Sequence, residues 1–463
     1  MSQSLGGRGY ALGAAWALAL GLWVGIAQGA AAQTLSEALA NAYTTNPSLA
    51  AARAGLRATN EGVPQALSNW RPTVTVNGSA GKQHLESESS FFSAKQNTDP
   101  TEIAIRLDQP IYRGGRTIAG TAAAENDVRA ARADLVSVEQ TVLLDAATAY
   151  MDVWRDQAVL RLTISNERVI QRQLEAAQDR FTVGELTRTD VAQAETRLAV
   201  ARADRIAAQG DLNATRAVYE QVIGAAPGSL AAAPKISGLP DTKKSVIGLA
   251  TAANPGILSA TFAAKAARKR VREAIGELLP SLSLVATASR NEETSQNDSL
   301  TKDARVAAEI SIPLYQQGAV SSRVREAKQI ASQRRVEIEE ERRRIEQEAV
   351  RAWESLQSAR AQIQSFESGV SSAEIALEGV RQENQVGART VLDILDAEQE
   401  LLDAKVNLVR SQRDDVVSSF EMLSVIGRLT ARDLALPVAL YDPEDAYRQV
   451  RDKWFGLGVP GTD

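Results

Sequence analysis

The two side chains most often recruited as nucleophile, general base or transition-metal ligand near neutral pH, cysteine and histidine, are nearly missing from this sequence. Cysteine is absent and the single histidine, His84, stands in a polar stretch, so neither a thiolate nucleophile nor a histidine-based metal or acid–base cluster can be assembled. Adjacent carboxylates such as Glu339-Glu340 fall in a dense charged run, 334–348, that reads as a solvated helical face. The one glycine cluster near a phosphate-cradling pattern, Gly6-Gly7-Arg8-Gly9, lies inside an N-terminal export signal. No catalytic group, cofactor or metal site is expected. What remains are charges whose spacing matters: Arg389, Asp393 and Asp396, the two aspartates three residues apart and so on one helical face. Taken alone, these read as solvated helix charges.

The elements that would position such charges follow from composition. Apolar residues make up 44% of the 463, charged residues 24% and aromatics only 5%. Small and straight-chain residues dominate, which favours long helices over a bulky globular core. A net charge of -5 leaves no basic face for neutralising phosphates, which excludes nucleic acid as a partner. Residues 1–32 carry Arg8 as their only charge, then a nearly continuous apolar run to Ala27, and Ala30-Ala31-Ala32 before Gln33. This is the pattern of a cleavable secretory signal. No later stretch approaches the ~18 uninterrupted apolar residues of a membrane helix, so the mature chain stays in the periplasm or crosses a membrane as strands. Without cysteine there is neither a disulfide nor a site for a cysteine-linked lipid.

The chain repeats itself. Asn46-Pro47 and Pro72 recur 208 residues later as Asn254-Pro255 and Pro280. Pro110, Gly184, Asp190 and Gly224 recur 203 residues later as Pro313, Gly387, Asp393 and Gly427. One length difference, in the segments 81–100 and 289–303, reconciles the two sets, and insertions concentrate in exposed loops. Each loop is flanked by alternating polar and apolar residues, for example Thr73-Val74-Thr75-Val76 and Ile103-Ala104-Ile105-Arg106-Leu107. Period two marks strands of about nine or ten residues with unlike faces, the length of a tilted membrane-spanning strand. Glu102, Arg106, Arg305 and Glu309 alternate with Ile103, Ile105, Val306 and Ile310, so one face suits water and the other lipid. Trp70, Tyr112 and Tyr315 stand at the strand ends, where a membrane-interface belt or ordinary junction packing would place them.

Between strand pairs, 121–183 contains neither glycine nor proline, and 319–386 only Gly369 and Gly379. Apolar residues recur there at three and four, which predicts helices of about 60 residues, on the order of 90 Å long. Each stops at a Val-Gly pair, Val183-Gly184 and Val386-Gly387, and a returning helix follows. The expected organisation is a signal at 1–32; a first repeat at 33–240 with strands near 72–80 and 101–110 and helices at 115–183 and 186–224; a second at 241–430 with strands near 280–288 and 304–313 and helices at 318–386 and 388–427; and a tail at 431–463. The fold class is an α+β membrane protein. Four strands cannot close a barrel, for which about eight is the minimum, so several chains must share one.

Several motifs, in order and twice over, resemble the TolC family of outer-membrane export channels: Asn46-Pro47, Arg71-Pro72, Gln109-Pro110-Ile111-Tyr112, Ala147-Thr148-Ala149-Tyr150, Arg180-Phe181-Thr182-Val183-Gly184, Leu279-Pro280, Ser311-Ile312-Pro313-Leu314-Tyr315 and the run from Val386 through Gly387, Arg389, Thr390, Asp393 and Asp396 to Ala397. The resemblance covers residues 35–434. It implies a homotrimer whose three sets of four strands close a twelve-stranded barrel in outer-membrane lipid, continued by a periplasmic helical coiled-coil tunnel. It implies docking, through a periplasmic adaptor, to an inner-membrane transporter of the ABC or RND type. The Val183-Gly184 and Val386-Gly387 turns become the adaptor-docking tips. Arg389, Asp393 and Asp396 become a periplasmic gate, with Gln173, Thr189 and Asp190 as partners from the first repeat, and threefold symmetry would ring the entrance with six carboxylates that favour cations. One position departs from the family pattern: Asn384 stands where a tyrosine is expected.

The function expected is the exit duct of an export machine, with type I protein secretion as the route and multidrug efflux as the alternative. The missing lipidation cysteine and the aromatic tail, Tyr441-Asp442-Pro443 through Trp454-Phe455, favour secretion. A periplasmic coiled-coil adaptor would share the exported helical hairpins but gives no reason for four alternating segments ending at proline.

Overall fold

The computed structural model describes residues 32–232, 234, 236–294 and 298–459. The expected export signal therefore lies, except for Ala32, outside the described residues. The first half begins with three short helices, α1 (Leu35–Thr45), α2 (Pro47–Asn60) and α3 (Gly62–Ser68), which lead into β1 (Thr73–Ala80). A hairpin of β2 (Gln83–Ser89) and β3 (Phe92–Thr98) precedes β4 (Thr101–Arg113), which enters α4 (Arg116–Thr182) and returns through α5 (Arg188–Ile223). The second half runs α6 (Lys243–Ala253), α7 (Pro255–Gly276), β5 (Ser281–Glu292), β6 (Leu300–Ser311), α8 (Ala319–Gln385) and α9 (Val391–Val425), and α10 (Pro443–Arg451) lies in the tail. Both long helices have 67 residues, roughly 100 Å at 1.5 Å per residue.

The recurring Asn-Pro pairs explain how each short helix pair is fastened. Asn46 caps α2, its side-chain oxygen accepting from the Ser48 and Leu49 amides, while its Nδ2 donates to the Val222 carbonyl at 3.0 Å. Asn254 repeats both roles on α7, accepting from the Gly256 amide at 2.8 Å and donating to the Val425 carbonyl at 3.0 Å. Proline follows at the first helical position, where an amide would lack a partner in any case. Each returning helix ends nearby at a left-handed glycine, Gly224 or Gly427. A Cβ on Gly427 would stand 2.5 Å from the Ala253 carbonyl oxygen.

The main core sits at this level, midway along the long helices, around Leu143, Tyr150, Met151, Tyr219, Leu356 and Phe420. Buried alanines on α4, among them Ala146, Ala147 and Ala149, let its neighbours approach closely. The Tyr150 hydroxyl donates to the Gln33 carbonyl at 2.8 Å, and Gln33 bridges to Leu230, so the linker is drawn back onto the start of the described chain. After α9, Glu139 accepts from the Ala431 amide at 2.7 Å and the Arg53 guanidinium stacks between the rings of Tyr43 and Tyr441. α10 then runs along α2 and α3.

Three features depart from expectation. Segment 81–100, expected as a loop, holds the antiparallel β2–β3 hairpin. Its strands, rich in Ser, Glu, Gln and Lys, have no apolar face, so they lack the period-two signal; backbone pairing and the Glu86–Lys95 ion pair hold them. In the second half the strands run on to Glu292 and resume at Leu300, well inside the expected loop 289–303. The stretch Lys243–Gly276 is apolar and long enough to cross a membrane, yet Asn254-Pro255 breaks it into α6 and α7.

Candidate functional site

At the end of the long helices farthest from the strands, each reversal is built from the same few residues. The Gly184 backbone is left-handed (φ 82°), the Glu185 amide bonds back to the Arg180 carbonyl at 2.9 Å, and Thr187 caps α5. Gly387 (φ 80°), the Ala388 amide on the Glu383 carbonyl at 2.9 Å, and Thr390 capping α9 repeat the arrangement. Only glycine adopts that conformation without strain, which ends the helix and turns the chain. Val183 and Val386 are left exposed at the two tips.

The gate candidates fall around these turns. Asp190 accepts from the Thr187 amide at 2.9 Å and hydroxyl at 2.7 Å; Asp393 does the same with Thr390 at 2.8 Å for both. These hydrogen bonds hold both carboxyls below the ordinary aspartate range. Arg389 reaches back to Glu383 at 2.9 Å and lies 3.8 Å from Asp393. Asp396 pairs with Arg197, which joins α9 to α5. Thr189 lines an open groove with Arg197 and Leu392, and Gln173 lies half-buried on α4. Within one chain, then, Arg389 does not meet Gln173, Thr189 or Asp190; the two halves join instead through Arg197–Asp396 and through Asn384. Asn384 donates to the Arg389 carbonyl at 2.8 Å and accepts from Arg180 at 3.5 Å, so it bridges both tips from the position where tyrosine was expected.

Four participants are not evident from the sequence: Arg197, Glu383, and Arg381 paired with Glu398, whose carboxylate is buried. Arg197 lies seven residues after Asp190, two helical turns along the same face, which was the available signal. Beneath these charges a small apolar cluster of Ile170, Leu174, Leu198, Val391 and Leu395 joins α4, α5 and α9.

At the opposite end, the sheet has the order β1-β4-β5-β6, antiparallel throughout. Its registers gather most of the large apolar residues on one face and most of the charged and hydroxyl residues on the other. Val74 faces Leu107 and Val76 faces Ile105; Leu107 meets Ala286, which meets Val306; and Leu282 meets Ile310. The other face carries Thr75 beside Arg106, then Thr287 and Arg305, and Ser283 beside Glu309. The apolar face is bare, with Val74, Val76, Ile103, Ile105, Val306 and Ile310 all exposed. Such a surface on a monomer in water is untenable, but it suits hydrocarbon. β1 and β6 remain open edges, which lipid cannot satisfy. Trp70, Tyr112 and Tyr315 lie at the feet of β1, β4 and β6 and are exposed.

A family model described as outer membrane efflux protein matches residues 34–225 and 246–428. The outer membrane efflux protein BepC of Brucella suis is 37% identical over 438 residues, covering 94% of each chain. The outer membrane protein TolC of Escherichia coli is 27% identical over 433 residues, covering 89% of this chain and 86% of the relative. The crystal structure of the Campylobacter jejuni CmeC outer membrane channel superposes with a TM-score of 0.79 at 16% identity, covering 90% of this chain and 89% of that one.

Proposed function

This chain belongs to the outer membrane efflux protein family, and from that premise we propose that it forms, as a homotrimer, the exit duct of a tripartite export machine for type I protein secretion. The chain itself is an outer-membrane channel subunit with helices projecting into the periplasm. The family is a transport duct rather than a catalyst. The observation that carries the reading is the two-faced, open-edged sheet set on helices roughly 100 Å long. Three copies supply twelve strands, and closure removes every unpaired edge. The polar face, with Arg106, Arg305 and Glu309, then lines water. Exposed Ile330, Val336 and Ile375 on α8 support the same association lower down, since a single chain leaves them uncovered.

The exposed tips, Val183-Gly184 and Val386-Gly387, are the docking points for a periplasmic adaptor, which joins the duct to an inner-membrane ABC transporter. An RND transporter and drug efflux form the second reading, which the name of the Brucella relative favours. Arg389, Asp393 and Asp396, with Asp190, Thr189 and Gln173, form the closure at the mouth. Their charge-assisted bonds hold the tips until docking offers alternative partners. Purified protein should run as a heat-sensitive trimer and conduct ions across a planar bilayer. A monomer that never conducts would overturn the duct. Gene deletion that abolishes drug resistance while leaving protein secretion intact would overturn the secretion route alone.

A further inference from the structure

The two halves share one hairpin register. Thr73 pairs with Asp108 and Ser281 with Ser311, positions related by the same 208- and 203-residue offsets as the sequence repeat. The internal β4–β5 junction is therefore a template for the junction that β6 makes with β1 of another copy. Carried over, Asp108 opposite Val285 becomes Ser311 opposite the neighbour's Asn77, and Tyr112 opposite Leu282 becomes Tyr315 opposite the neighbour's Val74.

At the foot of the template, β5 partly covers Ile111 and Tyr112, leaving them 51% and 44% exposed. Gly114 follows so closely against the next element that a Cβ would stand 2.3 Å from the Gly276 carbonyl and 2.9 Å from the Leu279 Cβ. In the second half the equivalent Leu314 and Tyr315 are 93% and 85% exposed. The left-handed turn is kept there at Gln317 (φ 56°), although a side chain is strained in it, so the turn itself is needed.

The counterpart of Leu279 on the neighbour's side is Arg71, a cation where the template has an apolar residue. Arg71 is occupied by the tail: its Nη1 donates to the Lys453 carbonyl at 2.7 Å, and its guanidinium lies 4.8 Å from the centroid of the Trp454 ring. The Arg132–Glu444 and Arg451–Glu125 ion pairs hold the tail in place. Just beyond, Phe455 is 91% exposed. The tail thus delivers to the foot of β1 the apolar surface that Leu279 supplies in the template.

We infer that residues 452–459 clasp a second copy of this chain: Trp454 and Phe455 of one copy cover Leu314 and Tyr315 of the next. The inference rests on the trimeric-barrel reading, and the absence of cysteine allows both to be tested separately. In full-length protein in outer membranes, Trp454→Cys combined with Leu314→Cys or Tyr315→Cys should give covalent trimers on oxidation, while single variants should not. Ser311→Cys with Asn77→Cys reports the strand seam alone. A linked seam with neither tail pair linked overturns the clasp and leaves the barrel; failure of the seam pair as well overturns the barrel. Independently, Trp454→Ala with Phe455→Ala should lower the trimer's dissociation temperature by on the order of 5 °C. An unchanged temperature also counts against the clasp and leaves these rings to lipid headgroups.

Discussion

At the scale of single residues, most charge-assisted bonds at the mouth are local to one turn, and the Arg197–Asp396 ion pair is the one that ties the two halves of the chain together. The Arg197–Asp396 pair is exposed, so it contributes little to stability, roughly 0–1 kcal/mol, and its role is to hold α5 against α9. Arg197→Ala should leave the melting temperature unchanged while raising single-channel conductance in a planar bilayer; an unaltered conductance would remove Arg197 from the closure. Asp393 has its pKa depressed by the Thr390 amide and hydroxyl. Its contribution is therefore complete above the ordinary aspartate range and is lost only as pH falls through the depressed value. Thr390→Ala should move that loss to higher pH, visible as earlier proteolysis of the tip during acidification. A protease profile identical to the parent's would refute this assignment. Arg389, Asp393 and Asp396 were singled out through family resemblance, since as residue types they resemble any solvated helix charge. For Arg197 the spacing from Asp190 places it on the same helical face, but its partner 199 residues away is not legible in the linear string.

At the scale of elements, repeated capping devices set where each helix starts and stops. Asn46 and Asn254 each combine a helix cap with a bond to a distant carbonyl. Asn46→Ala and Asn254→Ala should each cost about 1–3 kcal/mol in thermal or denaturant unfolding. If the cost is within error of zero, the bonds to Val222 and Val425 do not fasten the short helices. Gly427→Ala combines an unfavourable left-handed backbone with a clash against the Ala253 carbonyl and should be the more damaging change. The Asn-Pro and Val-Gly punctuation was legible because caps and reversals are local physics. The β2–β3 hairpin was not, because its strands are polar on both faces and leave no periodic trace.

At the scale of the whole molecule, the sheet has one face for lipid and one for water, and the two should respond differently to the same charge. Val306→Arg places a cation on the apolar face and should cost roughly 2–4 kcal/mol at mid-bilayer, reducing the trimer recovered from outer membranes. Arg305→Ala, one residue away on the polar face, should leave assembly intact and shift ion selectivity measured by reversal potential. Equal assembly defects in both would contradict the assigned faces. The amino-acid string by itself determined this alternation, the long uninterrupted helices, the glycine reversals and the repeat, because each depends on neighbours within a few residues or on a fixed offset. Tertiary structure alone decided which strands become open edges, that Asp396 meets Arg197, that Asn384 spans both tips, and that the tail reaches Arg71. Those contacts join segments separated by up to several hundred residues, and only the packing of long helices side by side brings them within bonding distance.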